Sequence, residues 1–245
     1  YPVLVPDYYM CLAEPGGDVA NDPILKQCLP TDAELTDHDS SDDPYAEEAH
    51  MPEPRLIYRY PDRAVLLTTG RCAMHCRFCF RKRYWKCGEE LRDISDDEFS
   101  GVIDYLKKTP QIREILISGG DPLLLSSDAL VSMVDQLFEL DSIEALRIGS
   151  RLPTADPGRV DLTLPERLKG KGSIWLMTHY NHPREVTRES MAVCGRFADC
   201  GIPVLNQTVL LKGVNDDVNT LEKLFRQLVR NRVKPHYLFH VDPVR

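Results

Sequence analysis

The sequence lacks any apolar run long enough to cross a membrane, which would need about 20 consecutive residues. Its first six residues, Tyr-Pro-Val-Leu-Val-Pro, do not have the charged and apolar regions of a secretory signal peptide. Positive charge is also scarce, with 30 Lys and Arg against 38 Asp and Glu and a formal net charge of -8. We therefore expect a cytoplasmic protein that binds neither membrane nor nucleic acid, since phosphate backbones attract clustered cations.

Cysteine is too sparse for a protein held together by disulfides, because 8 cysteines in 245 residues is a modest number for a domain of this size. With 42% hydrophobic residues, the chain can bury a substantial core. It does not begin with Met, and it ends on Asp242-Pro-Val-Arg245 just after an apolar run. We expect both ends to be cut from a longer protein.

The composition divides the chain into an N-terminal arm, residues 1–57, and a core, residues 58–245. The arm is rich in Pro, Asp and Glu and predicts an extended, partly helical segment. In the core, short apolar runs alternate with amphipathic stretches. The apolar runs predict strands over 65–69, 114–118, 145–149, 173–178, 204–211 and 237–241. The amphipathic stretches predict helices over 97–108, 128–140, 185–200 and 219–231.

This alternation predicts an α/β fold with a parallel sheet. From the second strand onward the strands begin roughly 30 residues apart, the length of a βα unit. Each crossover then carries a helix that can cover the sheet. Periodicity alone allows an open sheet or a curved barrel. A shared active-site mouth favours a partial (β/α)6 barrel, because such a barrel gathers the carboxyl ends of all strands.

Polar residues follow or end each predicted strand, where α/β enzymes place their active sites. They are the loop 71–80, Ser118-Gly-Gly-Asp121, Gly149-Ser-Arg151, Thr178-His-Tyr-Asn181, Asn206-Gln-Thr208 and Asp242. Any one of them is an acceptable turn or helix start. Six in succession favour a common site.

Three cysteines, Cys72, Cys76 and Cys79, lie within eight residues directly after the first predicted strand. Thiolates are soft ligands suited to iron–sulfur clusters, and three of them leave one iron of a four-iron cubane without a protein ligand. That iron is free to bind a small molecule. Zinc is the alternative, with Cys76 and Cys79 as one pair of ligands, but zinc needs a second pair. Cys194 and Cys200 lie in a helical stretch and do not form such a pair.

The Cys-x3-Cys-x2-Cys spacing resembles that of the radical S-adenosylmethionine (SAM) enzymes. Further motifs, spread over nearly the whole chain, resemble the lysine 2,3-aminomutase family within that group. They are Arg59-Tyr-Pro-Asp-Arg63, Phe80-Arg-Lys-Arg-Tyr84, Ile117-Ser-Gly-Gly-Asp121, Arg147-Ile-Gly-Ser-Arg151, Thr178-His-Tyr-Asn-His-Pro183, Asn206-Gln-Thr-Val-Leu-Leu-Lys-Gly-Val-Asn215 and Lys234-Pro-His-Tyr237. Several motifs at matching separations are more specific than the cysteine pattern alone.

The resemblance implies an isomerase that uses a [4Fe–4S] cluster, SAM and pyridoxal 5′-phosphate (PLP) to move an amino group between C2 and C3 of an amino acid. The three cysteines would hold the cluster, and the open iron would chelate the amino and carboxylate groups of SAM. An electron from the cluster then cleaves SAM to a 5′-deoxyadenosyl radical, which takes hydrogen from C3 of the substrate. The PLP imine provides the π system for nitrogen migration, so the cofactors carry the difficult steps.

For SAM, the resemblance implicates Gly119, Gly120, Asp121, His179 and Gln207. The two glycines suit close backbone approach to the SAM amino group because they have no Cβ. The alternative is an ordinary turn at the end of a strand. His179 and Gln207 match positions that line the SAM pocket and offer neutral hydrogen bonds. For His179, a core histidine without contact to SAM is the alternative.

For substrate and PLP, the resemblance implicates four charged residues. Arg81 matches the arginine that binds the substrate carboxylate, a task suited to a planar bidentate donor, and is otherwise a surface cation. Arg59 and Arg63 match residues near the PLP phosphate, or else pair with Asp62 or the acidic arm. Asp242 matches the carboxylate that binds the distal ammonium of the substrate, and is otherwise a turn residue. A buried carboxylate needs a cationic partner, which favours lysine over glutamate.

One part of the family pattern has no match in this sequence. In the family, the lysine that forms the PLP imine lies beyond the sixth strand, in a glycine-rich segment that also carries a second substrate carboxylate. We therefore expect the chain to assemble the cluster and bind SAM but to have an incomplete PLP site.

The favoured function is a lysine 2,3-aminomutase, whose partners would be a small-molecule amino acid substrate and, in a homo-oligomer, further copies of the chain. Glutamate or arginine aminomutation, or the family branch that makes β-lysine for elongation factor P, are alternatives with the same chemistry. A noncatalytic remnant that binds zinc or a cluster is the alternative of another class.

Overall fold

The computed structural model describes residues 2–32, 34, 40–85, 92–241 and 244. The strands are β1 Leu56–Tyr60, β2 Arg63–Thr69, β3 Glu114–Gly119, β4 Ala145–Gly149, β5 Ser173–Thr178, β6 Val204–Leu210 and β7 Val233–His240. The α-helices among these residues are α1 Asp7–Met10, α2 Asp96–Lys108, α3 Ser127–Phe138, α4 Leu152–Ala155, α5 Leu164–Leu168, α6 Arg188–Asp199 and α7 Val218–Arg230.

All seven strands form one sheet in which each strand pairs with the next along the chain. Strands β2 to β7 are parallel, and β1 is antiparallel to β2. Because βα crossovers are right-handed and every strand is added on the same side, the helices collect on one face of the sheet. This single winding is that of a (β/α) barrel, and the described strands do not close it. The predicted partial barrel with six parallel strands is confirmed.

The structure differs from the prediction at the two edges of the sheet. Strand β1 spans the expected boundary between arm and core and forms a hairpin with β2, with Pro61 and Asp62 in the turn. Strand β7 begins at Val233, four residues before the predicted start at Tyr237. Pro235 is tolerated within β7 because β7 is at the edge of the sheet formed by the described strands, and an edge strand has one side without ladder hydrogen bonds.

Helix α2 illustrates why the amphipathic stretches fold as predicted. Ser95 accepts a hydrogen bond from the Glu98 amide, while the Glu98 side chain accepts one from the Ser95 amide. Phe99, Val102 and Leu106 are buried on the predicted face. Helices α3, α6 and α7 bury similar faces against the same core. The sheet is therefore covered on its helical face, while its other face is left for a cavity.

No helix in the described part of the chain is long and apolar enough to cross a membrane.

Candidate active site

A cavity of about 630 Å³ is lined by residues from all seven strands. Eleven of the predicted site residues line it: Arg59, Arg63, Cys72, Cys76, Cys79, Arg81, Gly119, Gly120, Asp121, His179 and Gln207. The twelfth, Asp242, lies outside the described residues, although its neighbour Val241 lines the cavity. The structure thus brings together residues that lie up to 148 positions apart in the chain, from Arg59 to Gln207.

The three cysteines lie on the loop that follows β2, and none of them forms a disulfide. A turn joins two of them, in which the Cys79 amide donates to the Cys76 carbonyl at 2.9 Å. Among the described residues, no three His, Cys, Asp or Glu side chains converge on one metal ion. A cubane does not need such convergence because each thiolate binds a different iron. Three free thiols facing one cavity fit a [4Fe–4S] cluster with an open iron.

Burial controls the protonation of these thiols in the metal-free chain. It raises the pKa of Cys79 from 9.0 to about 11. Burial, together with the nearby Cys79, also raises the pKa of Cys72 well above 9.0. Both thiols are therefore protonated at neutral pH, and iron must displace their protons on binding.

The N-terminal arm packs against the cysteine loop. The His75 amide donates to the Leu4 carbonyl at 2.9 Å, and the Arg77 amide donates to the Gln27 carbonyl at 2.9 Å. The Arg77 side chain forms an ion pair with Glu34. The arm is therefore part of the site, which its composition alone did not indicate.

Gly119 and Gly120 bring the end of β3 against the cysteine loop itself. Gly119 has a φ of +114°, and a Cβ there would lie 2.4 Å from the Thr69 carbonyl oxygen. A Cβ at Gly120 would lie 2.1 Å from the Arg71 carbonyl oxygen. Real Cβ contacts are never this short. The glycines are thus required by the backbone packing of two loops, whatever contact they also make with SAM.

Asp121 uses its buried carboxylate to join the ends of β3 and β4. It accepts hydrogen bonds from the Ser150 hydroxyl at 2.7 Å and from the amides of Arg151 and Leu152 at 2.9 and 2.8 Å. A fourth bond comes from the Leu123 amide at 3.1 Å. These contacts give Asp121 a structural task beside the cavity, and its predicted part in cofactor binding stays a prediction.

His179 faces the cavity as a neutral imidazole. Its ring lies 5.3 Å from the Phe78 ring, and its buried Nε2 atom has no hydrogen-bond partner among the described residues. Burial, helped by the positive charge of Arg151, lowers the pKa of His179 from 6.5 to about 3. A neutral ring with one nitrogen left over can hydrogen-bond to a bound molecule. Gln207, on β6, lines the same cavity.

Replacing His179 with glutamine is expected to make the metal-free chain less sensitive to acid. Because the pKa is lowered, His179 is protonated below pH 6.5 in the unfolded state but not in the folded state, so the folded state loses stability as the pH falls from 6.5 towards 3. At pH 5 this lowers the free energy of unfolding by about 2 kcal/mol relative to pH 7.5. Urea unfolding of the parent and of His179→Gln at pH 7.5 and pH 5 measures this loss. An equal loss of stability in the two proteins would contradict a lowered pKa at His179.

Arg81 is held by a carboxylate that the sequence did not single out. Glu47 is only 5% exposed and accepts from Arg81 Nη2 at 2.7 Å and from Arg83 Nη2 at 2.8 Å. The Nη1 atom of Arg81 lies 3.3 Å from the Ser118 hydroxyl. Arg81 is therefore an oriented cation with only 11% of its side chain exposed, rather than a surface charge.

Arg59 and Arg63 border the cavity from the β1–β2 hairpin. Arg59 donates to the Tyr45 carbonyl at 3.2 Å. Arg63 pairs with Asp62 at 2.9 Å, the alternative that the sequence left open, and 46% of its side chain stays exposed. Both arginines line the cavity, and their contact with a phosphate stays a prediction.

The sequence model of the radical SAM superfamily matches residues 66–225, from β2 to α7. The structure points to the same class of protein, because a singly wound parallel α/β sheet carries three free cysteines on the loop after its first parallel strand. The chain belongs to the radical SAM superfamily. A [4Fe–4S] cluster and SAM are the cofactors of that superfamily, and the three cysteines suit the cluster.

The relatives narrow the comparison within the superfamily. The chain is 42% identical over 236 residues to L-lysine 2,3-aminomutase of Clostridium subterminale, covering 96% of this chain and 56% of the relative. A putative L-lysine 2,3-aminomutase of Aquifex aeolicus is 42% identical, and the match covers 100% of this chain and 66% of the relative. Glutamate 2,3-aminomutase of Clostridioides difficile is 37% identical, and the match covers 97% of this chain and 56% of the relative. The chain thus spans between about half and two thirds of these relatives.

A solved structure supports the fold alone. A radical SAM methyltransferase from Sphaerobacter thermophilus superposes with a TM-score of 0.51 at 20% identity, covering 73% of this chain and 56% of that one.

Proposed function

We propose that this chain works in a radical SAM amino-acid 2,3-aminomutase, with lysine as the favoured substrate. The observation that carries the proposal is that one cavity gathers three free cysteines and eight further residues expected for SAM, a phosphate and a substrate carboxylate. Relatives named lysine or glutamate 2,3-aminomutase, at 37% to 42% identity, support it. A cytoplasmic location suits these free thiols because reducing conditions keep them available for iron.

When bound, the cluster and SAM supply a radical that abstracts hydrogen. The residues of this chain hold and orient the reactants. Cys72, Cys76 and Cys79 would hold the cluster, and the loop packing at Gly120 fixes the distance between the cysteine loop and β3. The Nε2 atom of His179, which has no hydrogen-bond partner among the described residues, would offer a neutral hydrogen bond to SAM.

Arg81 is suited to a substrate carboxylate because its orientation is set before the substrate arrives. Glu47 occupies the Nε and Nη2 atoms, while Nη1 points towards Ser118 and the cavity. A carboxylate bound at Nη1 would share the Ser118 hydroxyl as a second donor. Glu47 also shares its negative charge with Arg83, so Arg81 keeps part of its positive potential for the substrate.

The described residues fit PLP only in part. Arg59 and Arg63 can face a phosphate, but none of the described residues that line the cavity is a lysine. Covalent attachment of PLP is therefore not supported by these residues.

Replacing Asp242 with asparagine is expected to raise the lysine concentration needed for half-maximal radical formation by at least about tenfold, the effect of about 1.4 kcal/mol. The physical reason is the loss of a carboxylate partner for the distal ammonium. The measurement is lysine-stimulated formation of 5′-deoxyadenosine in the intact enzyme. Unchanged lysine dependence would remove Asp242 from the substrate site.

The proposed function is tested by anaerobic reconstitution of the chain with iron and sulfide, followed by dithionite and SAM, with PLP and one amino acid at a time. We expect this chain to become brown and to form 5′-deoxyadenosine. In the intact enzyme, lysine labelled by deuterium at C3 should transfer its label to 5′-deoxyadenosine. If glutamate or arginine, but not lysine, stimulated formation of 5′-deoxyadenosine, the proposed substrate would be wrong. A protein with neither iron nor 5′-deoxyadenosine would remove the radical function and favour a noncatalytic zinc-binding role.

A further inference from the structure

Arg151, which follows β4, is a buried arginine in contact with one of the three cluster cysteines. Its Nη1 atom lies 2.8 Å from the Sγ atom of Cys76. Only 8% of its side chain is exposed. An arginine that directs an N–H group at a sulfur atom, inside the protein, is placed to act on whatever that sulfur binds.

The rest of the guanidinium is fixed from several sides. Its Nη2 atom donates to Glu185 and Gln27 at 2.7 Å each, and lies 3.1 Å from the Tyr9 hydroxyl. The guanidinium carbon lies 5.0 Å from the centre of the Phe78 ring and 5.5 Å from that of Tyr9. Two of these partners, Tyr9 and Gln27, belong to the N-terminal arm. The direction of the Nη1 group towards sulfur is therefore set by the arm and by the core together.

Glu185 makes this arrangement rigid. Its side chain is fully buried, and it accepts hydrogen bonds from the Tyr9 hydroxyl at 2.6 Å and from the amides of Asn181 and His182 at 2.5 and 2.8 Å. A carboxylate held by three other donors cannot follow a moving arginine. Arg151 is thus fixed relative to β4, β5 and the arm.

We propose that Arg151 is a positioning residue for the cluster, which holds the Cys76 sulfur in place and raises the reduction potential of the cluster by donating a hydrogen bond to that sulfur. Reduction adds negative charge to the cluster, and hydrogen bonds to its sulfur ligands stabilise the more negative state. A fixed guanidinium does this without reorganisation. The arm, through Tyr9 and Gln27, therefore contributes to the ease with which the cluster accepts an electron.

The test compares the reconstituted parent protein with its Arg151→Lys variant. Lysine keeps the charge but cannot reach both Cys76 and Glu185 with a compact ammonium group. We expect the midpoint potential, measured by EPR during a reductive titration, to shift to more negative values. Tyr9→Phe removes one contact to Arg151 and is expected to give a smaller shift in the same direction.

A second measurement begins with the parent protein, whose result does not depend on how well a variant folds. With arginine labelled by ¹⁵N, the reduced parent protein should show a ¹⁵N hyperfine coupling to the cluster, and the coupling should disappear in Arg151→Lys. Two variants serve as matched controls. Arg184→Met removes ion pairs of an arginine that also ties the arm to the core but does not contact Cys76, and Arg113→Met removes an exposed ion pair with Glu144. Both should keep the parent potential.

The outcomes separate this role from the presence of the cluster. A shift in Arg151→Lys with none in Arg184→Met supports a direct contact with sulfur. Equal shifts in both variants would mean that loosening the arm is sufficient, and would overturn the role of Arg151. An absent ¹⁵N coupling in the parent would overturn it as well. A parent protein that binds no iron would remove the cluster and this role together.

Discussion

Replacing Cys76 with serine is expected to remove nearly all iron from the reconstituted protein, from about four iron atoms per chain to close to none. A serine hydroxyl is a harder and far less acidic ligand than a thiol, and two thiolates do not retain a cubane whose fourth iron already lacks a protein ligand. Formation of 5′-deoxyadenosine should fall to the level of the iron-free protein. Cys72→Ser and Cys79→Ser should behave in the same way, because all three line one cavity.

Two other cysteines provide matched controls for this experiment. Cys11 is exposed, and Cys194 is fully buried with its sulfur 3.4 Å from the Tyr180 hydroxyl. Cys11→Ser tests the loss of any thiol, and Cys194→Ser tests the burial of a hydroxyl away from the site. Both should keep the parent iron content and absorption spectrum. A full iron content in Cys76→Ser, checked by metal analysis and EPR, would contradict the assignment of the cluster ligands.

The regular part of the fold could be predicted because its pattern is local. The four long helices begin and end within three residues of the predicted bounds. Each buries a stripe of apolar residues against a sheet that is itself apolar on that face, so the helical period is visible in the sequence. The same holds for the inner strands β3 to β6, which are short apolar runs between polar turns.

The edges of the sheet were harder to predict for a physical reason. Strand β1 has the pattern Leu-Ile-Tyr-Arg-Tyr, in which the first two residues are buried and the last two exposed, and this differs from the alternation of a half-buried strand. A Pro61-Asp62 turn between β-prone residues was the available signal. In β7, Pro235 suggests a break, yet the strand continues through it because no further strand pairs on its outer side among the described residues.

The convergence of the motif residues could be predicted, but their supporting contacts could not. The motifs predicted a common site, and the structure places eleven of the predicted residues around one cavity. Glu47, which holds Arg81, and Glu185, which holds Arg151, were not singled out. These contacts join segments 34 residues apart, and a lone glutamate in an acidic arm or near a helix start has no pattern that distinguishes it from a solvated charge.

Replacing Gly120 with alanine is expected to destabilise the metal-free chain by about 3 kcal/mol, the upper range for forcing an extra carbon into a packed site. The added Cβ would lie 2.1 Å from the oxygen and 2.6 Å from the carbon of the Arg71 carbonyl. These are backbone atoms, which cannot rotate away as a side chain would. The Gly120 amide also donates to the Thr69 carbonyl at 2.6 Å, and the Asp121 amide to the Arg71 carbonyl at 2.7 Å. Relief of the overlap must therefore separate β3 from the cysteine loop.

A matched substitution in the opposite direction is available in α2. A Cβ at Gly101 would make an ordinary contact of 3.6 Å with Glu53, so Gly101→Ala should stabilise the chain by about 0.5 to 1 kcal/mol through the helix preference of alanine. Urea unfolding of both variants measures the change in the free energy of unfolding, which should be opposite in sign for the two. Iron content after reconstitution shows whether the cysteine loop is still in place. Loop displacement predicts that Gly120→Ala loses both stability and iron. An unchanged unfolding midpoint with weaker SAM binding would instead mean that the glycine serves the approach of SAM alone, and that the cysteine loop can be held without it.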